Sequence, residues 1–225
     1  EIHYDDIDQD CDGLDDDIPL HVFMLTGQSN MGGIDPAETF IPRLEQILPP
    51  ETIAVSYHAI GSRTIGYWDY QWPYPEEIMT TPGSMYDVLL NRVLRSIERE
   101  LTSVTLIWMQ GEADASLGHG NIYEESFLRI LNQIRTDLEF DDVNVVIGRI
   151  NDCCNTHPTY PDWILIREIQ ENLGNRHHFD WVNTDDLNTV RDENGEPYEA
   201  LHLNPIGYEV LGTRFADAAL DMLLE

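Results

Sequence analysis

The chain contains no lysine. All twelve basic residues are arginine, set against 42 aspartates and glutamates, for a formal charge of −30 over 225 residues. A surface of that sign repels phosphate backbones and anionic lipid headgroups, which argues against nucleic acid and membrane surfaces as partners. A soluble acidic protein accounts for this balance. Adaptation to high salt accounts for it more fully, because screening relieves the self-repulsion of a compact state carrying so much charge.

Cysteine is scarce as well. Cys11, Cys153 and Cys154 are an odd number, make no disulfide framework and fit no zinc spacing. Either Cys11 bridges to one of the adjacent pair in an oxidising compartment, or all three are free thiols. Long apolar runs are missing: nothing approaches the ~20 residues that span a bilayer. No charged-then-apolar signal segment opens the chain, so its start at Glu1 reads as processed or trimmed. No Pro/Gly/Ser linker divides it, and one main domain (19–225) is expected behind a short acidic lead-in (1–18).

Five short apolar or β-branched runs are present, at 20–26, 52–57, 103–109, 143–150 and 179–183, and they read as buried parallel strands. Helical spacing links Leu89, Val93, Ile97 and Leu101, then Phe127, Ile130, Leu131, Ile134 and Leu138, then Ile206, Val210, Phe215, Ala219 and Met222 behind Pro205. The alternation predicts a three-layer α/β/α domain around a five-stranded parallel sheet.

The first strand runs into LTGQSNMGG (25–33), where the chain turns polar and glycine-rich at once. A tight turn with Ser29 as helix cap explains this, and so does a nucleophilic Ser29 at the carboxyl end of a parallel strand, where open α/β sheets bind ligands. A nucleophilic serine needs a base, an acid to orient that base, and donors for the oxyanion. His202, in YEALHLNPIGYEVLG before the last helix, is the candidate base, and Glu199, three residues earlier, a candidate acid.

Four blocks, GQSNMGG, AIGSRTI, WMQGEAD and LHLNPIGY, occur in the order seen in the SGNH (GDSL-like) hydrolase superfamily. More narrowly, the sequence resembles the sialate O-acetylesterase and family 6 carbohydrate esterase (acetylxylan esterase-like) branch. The resemblance implies a flavodoxin-like SGNH fold, Ser29 as nucleophile, His202 as base, and an oxyanion hole from Ser29, Gly61 and Gln110. Where the family commonly has aspartate, this chain has Glu199. Glu112, two residues past Gln110, is the other candidate acid. If extended backbone persists to Glu112, its side chain shares a face with Gln110, which favours Glu199 for orienting His202 and leaves Glu112 to support a loop or Arg63. Gln28 and Asn30, flanking the serine, are placed as supporting residues.

Further along, GYWDYQWPYP (66–75) is too polar and proline-rich for a core strand. Tyr67, Trp68 and Trp72 are expected at the active edge, where the carbohydrate-esterase resemblance implies stacking on sugar rings, with one or two rings of the segment exposed. The loop NDCCNTHPTYPDW (151–163) should border the same edge. In the lead-in, Asp8, Asp10 and Asp12 with Gly13 follow the D-x-D-x-D-G pattern of a calcium loop, with Asp15 or Asp16 as a later ligand. Such a segment resembles a thrombospondin type 3 calcium repeat, which would place the chain in a larger multidomain protein, secreted or at the cell surface. A disordered acidic tail fits the same residues.

The reading is a serine esterase that removes short acyl groups, O-acetyl foremost, from a carbohydrate, with no cofactor in the chemistry. Two alternatives stand beside it. One is a carbohydrate-binding or calcium-organised module on an inactive scaffold; the other is a lipid or aryl esterase or thioesterase of the same fold.

Overall fold

In a computed structural model, which describes residues 18–191 and 194–224, five parallel strands form one sheet. They are β1 (His21–Gly27), β2 (Ile53–Ala59), β3 (Ser103–Met109), β4 (Asn144–Gly148) and β5 (Phe179–Val182), in the spatial order β2-β1-β3-β4-β5. The order reverses at β1, so the carboxyl ends of β1 and its neighbours open a crevice where such folds place their ligands. The lead-in carboxylates Asp8, Asp10, Asp12 and Asp16 lie outside the described residues, as does Cys11.

Both faces of the sheet are covered, which is why its strands read as near-continuous apolar runs. Along β1, Val22 and Met24 point to one face, joining Leu89 and Val93 of α3 (Ser84–Leu94), Ile130 and Ile134 of α5 (Gly120–Leu138), and Ile166 and Leu173 of α6 (Trp163–Gly174). Phe23 and Leu25 point to the other face, against Phe40 and Leu44 of α2 (Phe40–Leu44) and Leu211 and Phe215 of α7 (Pro205–Leu224). The remaining helices, α1 (Ser29–Gly32) and α4 (Glu112–Leu117), are short and follow β1 and β3 directly. Among the described residues no helix is long and apolar enough to cross a membrane.

Several elements depart from the expectation. Helix α3 ends at Leu94, short of Ile97 and Leu101, and α6 follows the 151–163 loop. A two-stranded antiparallel hairpin, β6 (Thr189–Arg191) with β7 (Pro197–Glu199), precedes the His202 loop. Cys153 and Cys154 are bonded to each other.

Tyr67, Trp68 and Trp72 are buried at 5%, 1% and 4% exposure, and so belong to the core rather than to a sugar-stacking surface. The reason is local: their segment folds over the helix-α3 face of the sheet, where Trp68 donates to Thr26 Oγ1 at 2.9 Å and meets Trp108 edge-on. The exposed rings of the segment are Tyr70 and Tyr74.

Candidate active site

The end of β1 explains how Ser29 is presented. A side chain at Gly27 would overlap the Met109 carbonyl oxygen of neighbouring β3, so only glycine lets the two strand ends approach this closely. The Gln28 N–H donates to that same carbonyl at 3.0 Å, and Ser29 begins α1 immediately afterwards. Ser29 is therefore the first helical residue and not the cap, and its N–H has no intrahelical acceptor.

His202 arrives from the other end of the chain. Its Nε2 lies 3.0 Å from Ser29 Oγ, within hydrogen-bond reach for a base and a nucleophile. The backbone on both sides of the imidazole is clamped. The Leu201 carbonyl accepts from Asn30 Nδ2 at 3.1 Å and from Asn151 Nδ2 at 3.1 Å, while the Leu203 N–H donates to Asn30 Oδ1 at 3.3 Å. Asn30 and Asn151 are both buried. Asn151 was not among the sequence candidates, and its signal is modest: the first polar residue past the fourth apolar run.

Glu199 is not brought to His202. It sits on β7 directly opposite Thr189 of β6, whose hydroxyl it accepts at 3.2 Å from both carboxylate oxygens, and it is exposed. Strand pairing turns its side chain to the hairpin face, so the separation of three residues does not deliver an acid to the imidazole. Among the described residues no carboxylate hydrogen-bonds to His202.

Gly61 does face the serine: a Cβ there would lie 3.6 Å from Ser29 Cβ. Its N–H is in no hydrogen bond among the described residues, so the amides of Ser29 and Gly61 are both open to a ligand. The next residue, Ser62, holds a left-handed backbone at φ +58°, an uncommon conformation for a residue with a Cβ.

Gln110 is placed differently from the expectation. It is fully buried, and its Nε2 is turned inward to the Arg63 carbonyl at 3.0 Å, to the Asp114 carboxylate, and to Gln28 Oε1 at 3.4 Å. Two N–H groups facing three internal acceptors leave none for an oxyanion. Gln28 Oε1 also accepts from the Ala113 N–H at 3.2 Å, so Gln28 ties the serine turn to the start of α4.

Glu112 begins α4, so the extended backbone stops before it, and its partner is Asn30 Nδ2 at 2.7 Å rather than Arg63. Its second oxygen, Oε2, is buried without a partner. Burial pushes the Glu112 carboxyl up to about 7 against the opposing pull of its hydrogen bonds. Arg63 instead lays its guanidinium over the Tyr67 ring, 4.9 Å from the centroid.

A pocket of about 300 Å³ opens over this machinery. Ser29, Ser62 and His202 form its polar end, and Ala113, Ser116, Leu117, Tyr160 and Leu201 its wall, with no arginine in the lining. A larger concavity, about 750 Å³, lies at the opposite end of the sheet by Asn144 and Phe179 and contains neither Ser29 nor His202. Among the described residues no group of three or more His, Cys, Asp or Glu side chains is arranged to hold a metal ion.

Solved structures share this architecture over nearly its full extent. A protein from Arabidopsis thaliana superposes with a TM-score of 0.66 at 19% identity, covering 90% of this chain and 98% of that one. NanS gives 0.63 at 12% identity, over 92% and 98%. A carbohydrate acetylesterase family member from Sinorhizobium meliloti gives 0.59 at 14% identity, over 92% and 100%. At these identities the likeness is one of fold, the α/β fold of SGNH hydrolases. No curated protein sequence matches the chain significantly. The family model described as carbohydrate esterase, sialic acid-specific acetylesterase, matches residues 33–221. This chain therefore belongs to that esterase family.

Proposed function

We propose that the protein is a serine esterase that removes O-acetyl groups from carbohydrates through an acyl-enzyme on Ser29. The observation that carries this reading is the 3.0 Å contact between Ser29 Oγ and His202 Nε2 at the mouth of a pocket. In the reaction, His202 takes the hydroxyl proton as Ser29 attacks the ester carbonyl. The oxyanion is met by the N–H groups of Ser29 and Gly61. His202 then protonates the departing sugar hydroxyl, and water repeats the cycle on the acyl-enzyme.

The pair works in this reading as a dyad. Asn30 and Asn151 fix the imidazole through the backbone on either side of it, and no carboxylate among the described residues reaches its Nδ1. Gln110 acts behind the oxyanion loop rather than in contact with substrate.

The matching family model names sialic acid, a sugar that carries a carboxylate. The pocket lining offers no guanidinium to such a group, and Glu112 stands beside the nucleophile. A neutral acetylated sugar fits this lining better. Acetate release from acetylated neutral oligosaccharides and from an aryl acetate is the test. Wild-type protein should release acetate from both and Ser29→Ala from neither; release by Ser29→Ala at the wild-type rate would end the reading.

A further inference from the structure

The carboxylate of Asp114 is fully buried and lies outside the Ser29–His202 contact, yet three separate pieces of the site converge on it. It accepts the backbone N–H of Ile65 at 2.9 Å, the Gln110 Nε2, and His119 Nδ1 at 3.2 Å. Gln110 in turn holds the carbonyl of Arg63 at 3.0 Å. Both ends of the stretch 63–65 are thus fastened to one buried carboxylate, directly at Ile65 and through Gln110 at Arg63. Immediately upstream lie Gly61, whose side-chain-free face is turned to Ser29 and whose N–H is in no hydrogen bond among the described residues, and Ser62 in its left-handed conformation.

We propose that Asp114 and His119 form a buried positioning pair that holds the loop 61–65, and with it the Gly61 N–H, in the geometry that receives the oxyanion. The proposal rests on the serine-esterase reading above and concerns how that site is kept in order. A residue fixing an N–H donor acts on turnover, since an oxyanion contact strengthens only in the transition state.

His119 is the variable member. It is 6% exposed, with its second nitrogen, Nε2, 3.1 Å from Glu77 Oε2. Tyr74 stacks on the ring at 5.7 Å between centroids, and Trp72 meets it edge-on at 5.0 Å. The charged groups around it are Asp114 from α4, Glu77 from the 75–77 turn, and Asp162 ahead of α6, which accepts the Gly120 N–H at 2.8 Å. Burial alone pulls the imidazole down, but Asp114 and Glu77 overcome it and hold its pKa above the ordinary value. Asp114 faces three donors and no acceptor, so its ionised form fits the geometry even though burial pushes its pKa upward.

The protonated imidazole can donate to both carboxylates at once, whereas the neutral one can donate to only one. Because the folded pKa is raised, the support is complete at pH values below the ordinary imidazole pKa. It is lost as pH rises through the raised value. His119 then sets an alkaline limb.

The test is the pH profile of kcat and KM on an aryl acetate for wild type, His119→Gln and Asp114→Asn, together with hydrogen-exchange protection at the Ile65 amide. Wild type should lose kcat and Ile65 protection together as His119, followed by NMR, gives up its proton. His119→Gln should lower kcat by about tenfold with KM within about twofold, and should lack the alkaline limb. The Ile65 measurement needs no substrate, so a wild-type protein with no esterase activity would fail the esterase reading and leave the anchor itself testable. Unchanged Ile65 protection through the His119 titration, or an alkaline limb that persists in a folded His119→Gln protein, would overturn the proposal.

Discussion

Asn30 Nδ2 lies 2.7 Å from Glu112 Oε1 in the wall of the pocket, and through Asn30 the buried carboxyl is tied to the loop that carries His202. Because burial raises this carboxyl from 4.5 to about 7, the folded protein holds a proton that the unfolded chain releases. The stability that Glu112 contributes is therefore greatest below about 4.5 and falls as pH rises toward 7. Glu112→Gln removes the penalty while keeping an oxygen for Asn30. Its melting temperature should match wild type at pH 4 and exceed it at pH 8, by on the order of 3 kcal/mol in stability. Equal melting curves at both pH values would show that Glu112 stays ionised.

Glu199→Gln should change turnover by less than about threefold, since its exposed carboxylate is engaged by Thr189, and a surface contact of this kind contributes ~1 kcal/mol or less. A loss of turnover on the scale that follows removal of a triad acid, about 10⁴-fold, would return Glu199 to the role of orienting acid.

The contrast between Ser29 and Glu199 shows where sequence reasoning reaches the site and where it stops. The central strands β1, β3 and β4 were legible as near-continuous runs because both sheet faces are buried there, the edge strands β2 and β5 as shorter mixed apolar runs, and Ser29 and Gly61 lie just past two of those runs. Glu199 depends on β6 and β7, two exposed three-residue strands whose polar pairing leaves no hydrophobic pattern to read. Trp68 and Trp72 sit in a segment whose composition resembles a surface loop, and only its course across the sheet buries them. Trp163, Ile166, Ile169 and Leu173 do carry helical spacing, so α6 had a signal, obscured by the polar loop before it.

Above about pH 7, where Glu112 is ionised, a pocket with that carboxylate in its lining and no guanidinium should discriminate by charge. For acetyl esters matched in size, kcat/KM should be higher for the neutral ester than for one bearing a carboxylate next to the reacting group, by about tenfold at low salt. A preference for the anionic ester would mean that Arg63 leaves Tyr67 and reaches the substrate; loss of that preference in Arg63→Ala would locate the contact.

Twelve arginines cannot neutralise 42 carboxylates, so much of the surface repels itself. Raising sodium chloride from 0.1 M to 1 M shortens the screening length from ~10 Å to ~3 Å and should raise the melting temperature. A flat or falling melting temperature over that range would show that the acidic composition does not limit stability.

The most direct test of the account is covalent capture of the nucleophile. Incubation with an aryl fluorophosphonate, followed by intact mass measurement and peptide mapping, should give one adduct on Ser29 with parallel loss of acetate release, and little labelling in His202→Ala. An adduct on another residue, or full esterase activity in a protein labelled at Ser29, would contradict it.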